Sequence, residues 1–376
     1  MRCTDLAAAV ARPWTAPILL ALVLGACTGA VATPSPTASA VPSVAAPTAA
    51  PSVAAATSSA SSAPSATPRR TTYPVTIAGC AGRTLTFQKA PERVVTFDPA
   101  VTEIMLTLGF KDRIVGVTLF DDGPAAGDKM WSVTKADMLS LKVINDPKVG
   151  YPSREAVVAA RPDLVASEYT SAFDPSYGVG TFKQFDALGI PAYVTHGGCE
   201  DAPPIWTDLS VIYQDIRDFG VIFDVQDKAD AEIASLQAQV AAIQAKARAA
   251  NLPDHNNGMY CCGPDNPGTL GTTVANALIT LAGSHYAFLN EDNGRKPLSW
   301  EAFVKGDPDV IWIITGLGEA ATTAEDFLAK SPRTAAMTAV KAKRYLVVAY
   351  DDVGETPRTI DGLRNLVDGL IALQGQ

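Results

Sequence analysis

The chain has 376 residues, 47% of them hydrophobic, and a formal net charge of −9. That length accommodates two α/β lobes beside its N-terminal segments. An acidic chain without a basic stripe argues against nucleic-acid binding, while acidity alone says little about a ligand.

Residues 1–26 read as an export signal. Arg2 and Arg12 give a positive start, and Ile18 to Ala26 is an apolar run too short to span a bilayer. The run ends Leu24-Gly25-Ala26-Cys27, which resembles the bacterial lipobox and implies a mature chain beginning with a lipidated Cys27. A plain secretory signal with an incidental cysteine is the alternative. Cleavage removes two arginines and one aspartate, so the charge moves from −9 to −10. Residues 28–68 contain only Ala, Ser, Thr, Pro, Val and Gly. Such a segment cannot bury enough apolar surface to offset its ordering entropy. Residues 27–72 are therefore read as a lipidated cysteine followed by a disordered, moderately stiff tether.

The folded part opens with an apolar strand over Arg93 to Asp98 and a helix over Ala100 to Leu108, closed by Gly109. Strands follow at Arg113 to Val117, Leu164 to Ser167 and Ala192 to Val194, with a helix over Phe182 to Leu188 before the last. Residues 205–223 are predicted helical. A second helix starts near Asp224 to Asp227 and runs to about Ala250, with Ala229, Ile233, Leu236, Val240, Ile243 and Ala247 on one stripe. About 24 residues at 1.5 Å each give roughly 36 Å, enough to bridge two lobes. The theme then repeats: a strand ending at Met259-Tyr260, a helix over Val274 to Ala282, strands at Val310 to Ile314 and Tyr345 to Tyr350, and a closing helix from Thr359 to Leu373. Alternating strands and helices predict an α/β protein with two Rossmann-like lobes, mainly parallel sheets and one long connecting helix. The lobes are placed at residues 73–225 and 251–376, the helix at 226–250.

One segment occurs twice. Ser153-Arg154-Glu155-Ala156-Val157-Val158 leads to Pro162-Asp163-Leu164-Val165, and Ser299-Trp300-Glu301-Ala302-Phe303-Val304 leads to Pro308-Asp309-Val310-Ile311. Each serine can cap a helix, and each glutamate sits in a first turn, where the helix dipole favours negative charge. The Pro-Asp ends the helix and launches a strand. Each lobe thus shows one exposed acid at the same place.

Of six cysteines, Cys3 leaves with the signal and Cys27 is the lipid site. Cys80, Cys199, Cys261 and Cys262 allow three pairings. The pairing favoured is Cys80–Cys199 within the first lobe, leaving Cys261-Cys262 as a vicinal bridge or a free pair. No second cysteine pair near Cys261-Cys262 completes a zinc set, and His196, His255 and His285 are scattered, so no direct metal site is expected.

Taken in order, several short motifs resemble the ferric-siderophore and cobalamin substrate-binding proteins of ABC importers. They are Pro91-Glu92-Arg93-Val94-Val95, Thr102-Glu103-Ile104-Met105-Leu106, Leu108-Gly109, Ile114-Val115-Gly116-Val117, Arg161-Pro162-Asp163-Leu164-Val165, Leu188-Gly189-Ile190-Pro191, Ala282-Gly283 and Pro308-Asp309-Val310-Ile311. The resemblance covers most of residues 73–372. It implies a ligand-binding cleft between lobes at the carboxyl ends of the strands. It also implies a monomeric, lipid-anchored partner of a permease and its ATPase, docking through Glu155 and Glu301. Catalysis is not expected, and neither is an enzymatic cofactor; the ligand is a ferric siderophore or similar chelate, with cobalamin or haem as alternatives.

Cleft candidates lie just after strands: Asp98, Phe120, Asp121, Asp122, Tyr169, Tyr260, Tyr350 and Asp351, with Trp131 in a long loop and Arg358 before the closing helix. Aromatic walls with a cation suit an anionic chelate, and acidic groups suit a cationic or hydroxamate one. Both kinds are present, which leaves ligand charge open. Plainer roles exist for each: Asp98 can cap the helix at Ala100, Tyr169 and Tyr260 can be packing residues, and Arg358 can pair with Glu355 or Asp361. Trp312 lies in an apolar run and reads as core. No nucleophile elbow, phosphate loop or dinucleotide fingerprint occurs, so the rivals are a sensor with the same fold and an enzyme without a motif.

Overall fold

The computed structural model describes residues 68–118, 134–146, 150–177, 179–199, 202–203, 205–261, 267, 273–289, 298–316 and 320–375. Two four-stranded parallel sheets organise it. The first holds β3 (Val94–Thr96), β4 (Ile114–Val117), β5 (Leu164–Ser167) and β6 (Ala192–Val194), in the order β4-β3-β5-β6. The second holds β7 (Asn256–Tyr260), β8 (His285–Tyr286), β9 (Val310–Thr315) and β10 (Tyr345–Ala349), in the order β10-β9-β7-β8. Numbered within each sheet, both run 2-1-3-4, so the repeated sequence segment marks a repeated topology. The central strands are rich in buried apolar residues because helices cover both faces; every residue of β5 is buried.

The two segment copies do the same work in each sheet. The Ser153 hydroxyl accepts the Ala156 N–H at 3.3 Å and caps α3 (Arg154–Ala159); the Ser299 hydroxyl accepts the Ala302 N–H at 3.1 Å and caps α8 (Trp300–Gly306). The aspartate has a role beyond ending the helix. The Asp163 carboxylate accepts the backbone N–H groups of Arg93 at 2.8 Å and Glu92 at 2.9 Å, while the Asp163 N–H donates to the Arg93 carbonyl at 2.8 Å. Asp309 likewise accepts the Asn256 N–H at 2.9 Å and donates its own to the Asn256 carbonyl at 2.8 Å. Each aspartate locks the start of the third strand to the start of the first.

Helix α5 (Ser210–Ile222) precedes α6 (Gln226–Ala249), the predicted connector. The buried stripe of α6 is Ala229, Ile233, Leu236, Ile243 and Ala247, with Val240 partly covered. Lys228 Nζ donates to the Leu108 carbonyl at 2.9 Å on the first-sheet side. On the other side Lys246 Nζ pairs with Asp368 at 2.5 Å, and Arg364 donates to Gln239 at 3.2 Å, both reaching α11 (Thr359–Gln374). One continuous apolar cluster runs from the first sheet through α6 to the second, while each outer sheet face has its own.

The helix predicted over residues 205–223 begins only at Ser210. The antiparallel hairpin of β1 (Val75–Ala78) and β2 (Thr84–Phe87) has no counterpart among the predicted elements, since four residues per strand carry too little alternation. The same holds for two-residue β8 and for α2 (Lys135–Ser140), α9 (Ala321–Lys330) and α10 (Thr338–Ala342). Residues 69–72, read from composition as the end of the tether, are held to the folded body. Arg69 pairs with Asp227 at 2.9 Å and also with Asp230, Arg70 pairs with Asp224 at 3.1 Å, and the Thr71 hydroxyl donates to the Val221 carbonyl at 2.7 Å. Among the described residues no helix is long and apolar enough to cross a membrane. A disulfide joins Cys80, between β1 and β2, to Cys199 after β6, with Cα atoms 5.3 Å apart. Cys261 is buried as a free thiol and so forms no vicinal bridge; Cys262 lies outside the described residues.

Removing the locking carboxylates tests their role. Asp163→Ala and Asp309→Ala should each lower unfolding free energy by about 0.5–1.5 kcal/mol, because strand-end N–H groups lose their acceptors. Asp163→Ala should cost more, since it frees two such groups. Urea unfolding measures this, and an unchanged midpoint in both variants would remove the assignment.

Candidate functional site

In open parallel sheets a crevice forms where strand order reverses about the first strand. In the first sheet that point lies between the carboxyl ends of β3 and β5, which carry Asp98 and Glu168. Asp98 holds the N-cap position of α1 (Pro99–Thr107), yet its side chain does not cap. It accepts instead from Ser167 Oγ at 2.6 Å, the Glu168 N–H at 2.9 Å and Tyr151 OH at 3.0 Å. The capping role considered for Asp98 is thus replaced by one at the sheet end, where three donors already converge.

The second half of the fold meets this floor directly. Tyr169 OH donates to Glu168 Oε1 at 3.0 Å and lies 3.1 Å from the hydroxyl of Tyr350, which follows β10. Thr195, after β6, places its hydroxyl 3.0 Å from both the Glu168 carbonyl and Glu355 Oε2. The hydroxyl donates to both in a three-centre bond. Such an approach needs a loop without side chains. A Cβ on Gly197 would lie 2.2 Å from the Glu355 carboxylate, and one on Gly198 would lie 1.5 Å from the Glu168 carbonyl oxygen. The Cys80–Cys199 disulfide anchors the far end of this loop.

Beside it, Asp215 Oδ1 accepts from Tyr193 OH at 2.6 Å and the His196 N–H at 2.9 Å, with His196 Nδ1 also at 2.9 Å. Asp215 is fully buried, and its Oδ2 has no hydrogen-bond partner. Burial raises the carboxyl pKa of Asp98 and raises that of Glu168 well above the ordinary range, the latter reinforced by Glu355 and Asp98. Burial and the Asp215 charge push Glu355 up to about 8 against the opposing Thr195 hydrogen bond. Burial and the Glu168 charge hold Tyr169 and Tyr350 in their neutral forms.

The other sequence candidates sort as follows. Arg358 is 6% exposed and pairs with Asp352 at 2.7 Å and Asp351 at 3.3 Å, rather than with Glu355 or Asp361. Tyr260 is not in the cleft: it is fully buried between Trp300 and Phe327, with ring centroids 5.8 and 5.9 Å away, because β7 turns it toward the outer helices. Trp312 is core, donating to Asn257 Oδ1 at 3.1 Å. Phe120, Asp121, Asp122 and Trp131 lie outside the described residues. Glu155 and Glu301 are exposed in the first turns of α3 and α8. Sequence reasoning missed Glu168, Thr195 and the contact made by Glu355. The available signal was Gly197-Gly198 ahead of a disulfide cysteine, a pair that marks close backbone approach.

Two parallel sheets of one topology, a single long helix between them and side chains meeting at their strand ends define a helix-linked, two-lobe binding protein. Residues 94–349 match the family described as periplasmic binding protein, and the chain belongs to that family. It is 27% identical over 302 residues to the uncharacterized ABC transporter substrate-binding lipoprotein YvrC of Bacillus subtilis, covering 79% of this chain and 86% of that one. It is 25% identical over 316 residues to a cobalamin-binding protein of Halobacterium salinarum, covering 80% and 75%. Two solved structures share the fold. One is a periplasmic binding protein from Veillonella parvula (TM-score 0.64, 22% identity, 77% of this chain and 95% of that one). The other, from Saccharomonospora viridis, is described as an ABC-type Fe3+-hydroxamate transport system (TM-score 0.63, 23% identity, 79% and 99%).

The raised carboxyl pKa values carry a sign. The folded state holds protons that the unfolded chain releases, so this stabilisation is complete below the ordinary carboxyl range and is lost as pH rises toward about 8. Stability between pH 6 and pH 9 should therefore fall, by at most about 1.4 kcal/mol per pH unit for each proton. Glu355→Gln should flatten the fall in urea unfolding; a variant with the full slope would assign the protons elsewhere.

Proposed function

We propose that this protein is the extracytoplasmic substrate-binding component of an ABC importer, capturing a ferric siderophore or similar metal chelate between its lobes and delivering it to a permease. The observation that carries the reading is the meeting of Tyr169 with Tyr350 and of Thr195 with Glu355 at the strand ends, in a chain of the periplasmic binding protein family. Those side chains come from the two halves on either side of α6, so a ligand held there is held by both. The relative named as an ABC transporter substrate-binding lipoprotein supports the importer role and an anchor at Cys27. The cobalamin-binding relative supports a large chelated metal as cargo and keeps cobalamin as the second reading. Nothing in this role calls for catalysis; the partner ATPase supplies the energy.

Delivery is assigned to Glu155 and Glu301, which occupy the same place in the two segment copies and face solvent. Titration of the mature chain with ferric hydroxamates, ferric catecholates, ferric citrate, haem and cobalamin, followed by tryptophan fluorescence, tests capture. Saturable quenching by a ferric chelate and none by its iron-free form is expected; silence across the panel would move a sensor role to the front. The Glu155→Ala, Glu301→Ala double variant should lose cellular uptake by tenfold or more, on the order expected when a docking ion pair is removed, with ligand affinity unchanged. Normal uptake in that variant would end the docking assignment.

A further inference from the structure

The cleft floor carries buried carboxyl groups that form no ion pair among the described residues. Glu168 and Glu355 are each 7% exposed. The charged and titratable groups facing Glu168 are Asp98, Glu355, Tyr169 and Tyr350. Those facing Glu355 include Asp215, Asp98 and His196. The basic side chains nearby are already engaged. His196 Nδ1 is 2.9 Å from Asp215, and the Arg358 guanidinium bonds Asp352 and Asp351. A separate sign of a missing partner is the fully buried Asp215, whose Oδ2 has no hydrogen-bond partner among the described residues. Carboxylates elsewhere, such as Asp186, Asp224 and Asp368, are paired with arginine or lysine.

A buried acid without a cation stays protonated or acquires one. Glu355 meets Thr195 across the two halves of the fold, so a ligand held by both halves lies beside it. We propose that the cleft is built for a ferric chelate of net positive charge, whose cationic group takes the place beside Glu168 and Glu355 that no described side chain fills. This rests on the capture reading above and narrows its ligand. Polyanionic chelates, such as haem with its two propionates or a ferric tricatecholate, would bring negative charge to a floor of acids whose basic neighbours are already engaged. The chemistry fits a trihydroxamate, which is neutral around ferric iron and takes its net charge from its side arms. Entry of a cation makes the protonated carboxyl groups ionise, so binding releases protons to solvent.

A matched series isolates charge: ferrioxamine B with its terminal ammonium, its N-acetyl derivative and its N-succinyl derivative, all sharing one ferric trihydroxamate core. Calorimetry on the mature protein should rank them ammonium, acetyl, succinyl, with about tenfold in affinity per unit of charge, as expected for a charge about 6 Å away in an effective dielectric near 40. For the ammonium form alone, the measured heat should depend on the ionisation enthalpy of the buffer, reporting proton release. The Glu168→Gln, Glu355→Gln double variant should collapse the ranking, bringing the three affinities to within about threefold of one another at whatever common value. A flat or reversed ranking in the wild type would overturn the charge assignment and leave capture standing. Binding of haem, a ferric tricatecholate or cobalamin with all three trihydroxamates silent would do the same. Silence of every chelate would remove the capture reading, and this inference with it.

Discussion

Parallel pairing forces every strand in a sheet to point the same way, and most of this protein's organisation follows from that constraint. Each return must cross the sheet through a helix or long connection, so both faces are covered and the strands become apolar runs. The charged side chains of the candidate site lie outside the strands and collect where the strands end. Asp98, Glu168 and Thr195 all sit within two residues of a strand's carboxyl end. The opposite ends must then be fixed without polar side chains inside the strands, and Asp163 and Asp309 do this by hydrogen-bonding the first backbone groups of the neighbouring strand. One end of each sheet is thereby locked and the other is left for the ligand.

How legible each feature was depends on how far apart its parts lie in the chain. The strands, the caps at Ser153 and Ser299, and the buried stripe of α6 are written within a few residues of themselves, and the sequence reading places them correctly. The cross-cleft contacts pair residues 160 and 181 positions apart, and no local pattern specifies them. Tyr260 was misjudged because a strand-end residue points toward the cleft or the core according to the phase of the pleat, which one residue of register decides. Arg358 reads in the sequence as a ligand contact or as a partner of Glu355 or Asp361, and it pairs instead with Asp351 and Asp352, brought around by the turn ahead of α11.

The cleft also explains an apparent conflict in the sequence, where aromatic, acidic and basic candidates stand together. The tyrosines bridge the two halves through their hydroxyls, and the arginine is neutralised by its neighbours. What remains is a set of acids whose pKa values burial raises. The close approach of Glu355 depends on two glycines, with the disulfide at Cys199 fixing the loop that carries them.

The arginines at residues 69 and 70 bear on mechanics. They fasten the incoming chain to Asp224, Asp227 and Asp230 at the start of α6. That helix packs against elements of both halves. Any force transmitted along the chain into residue 69 is therefore delivered to the strut that the two halves share, and to neither sheet alone.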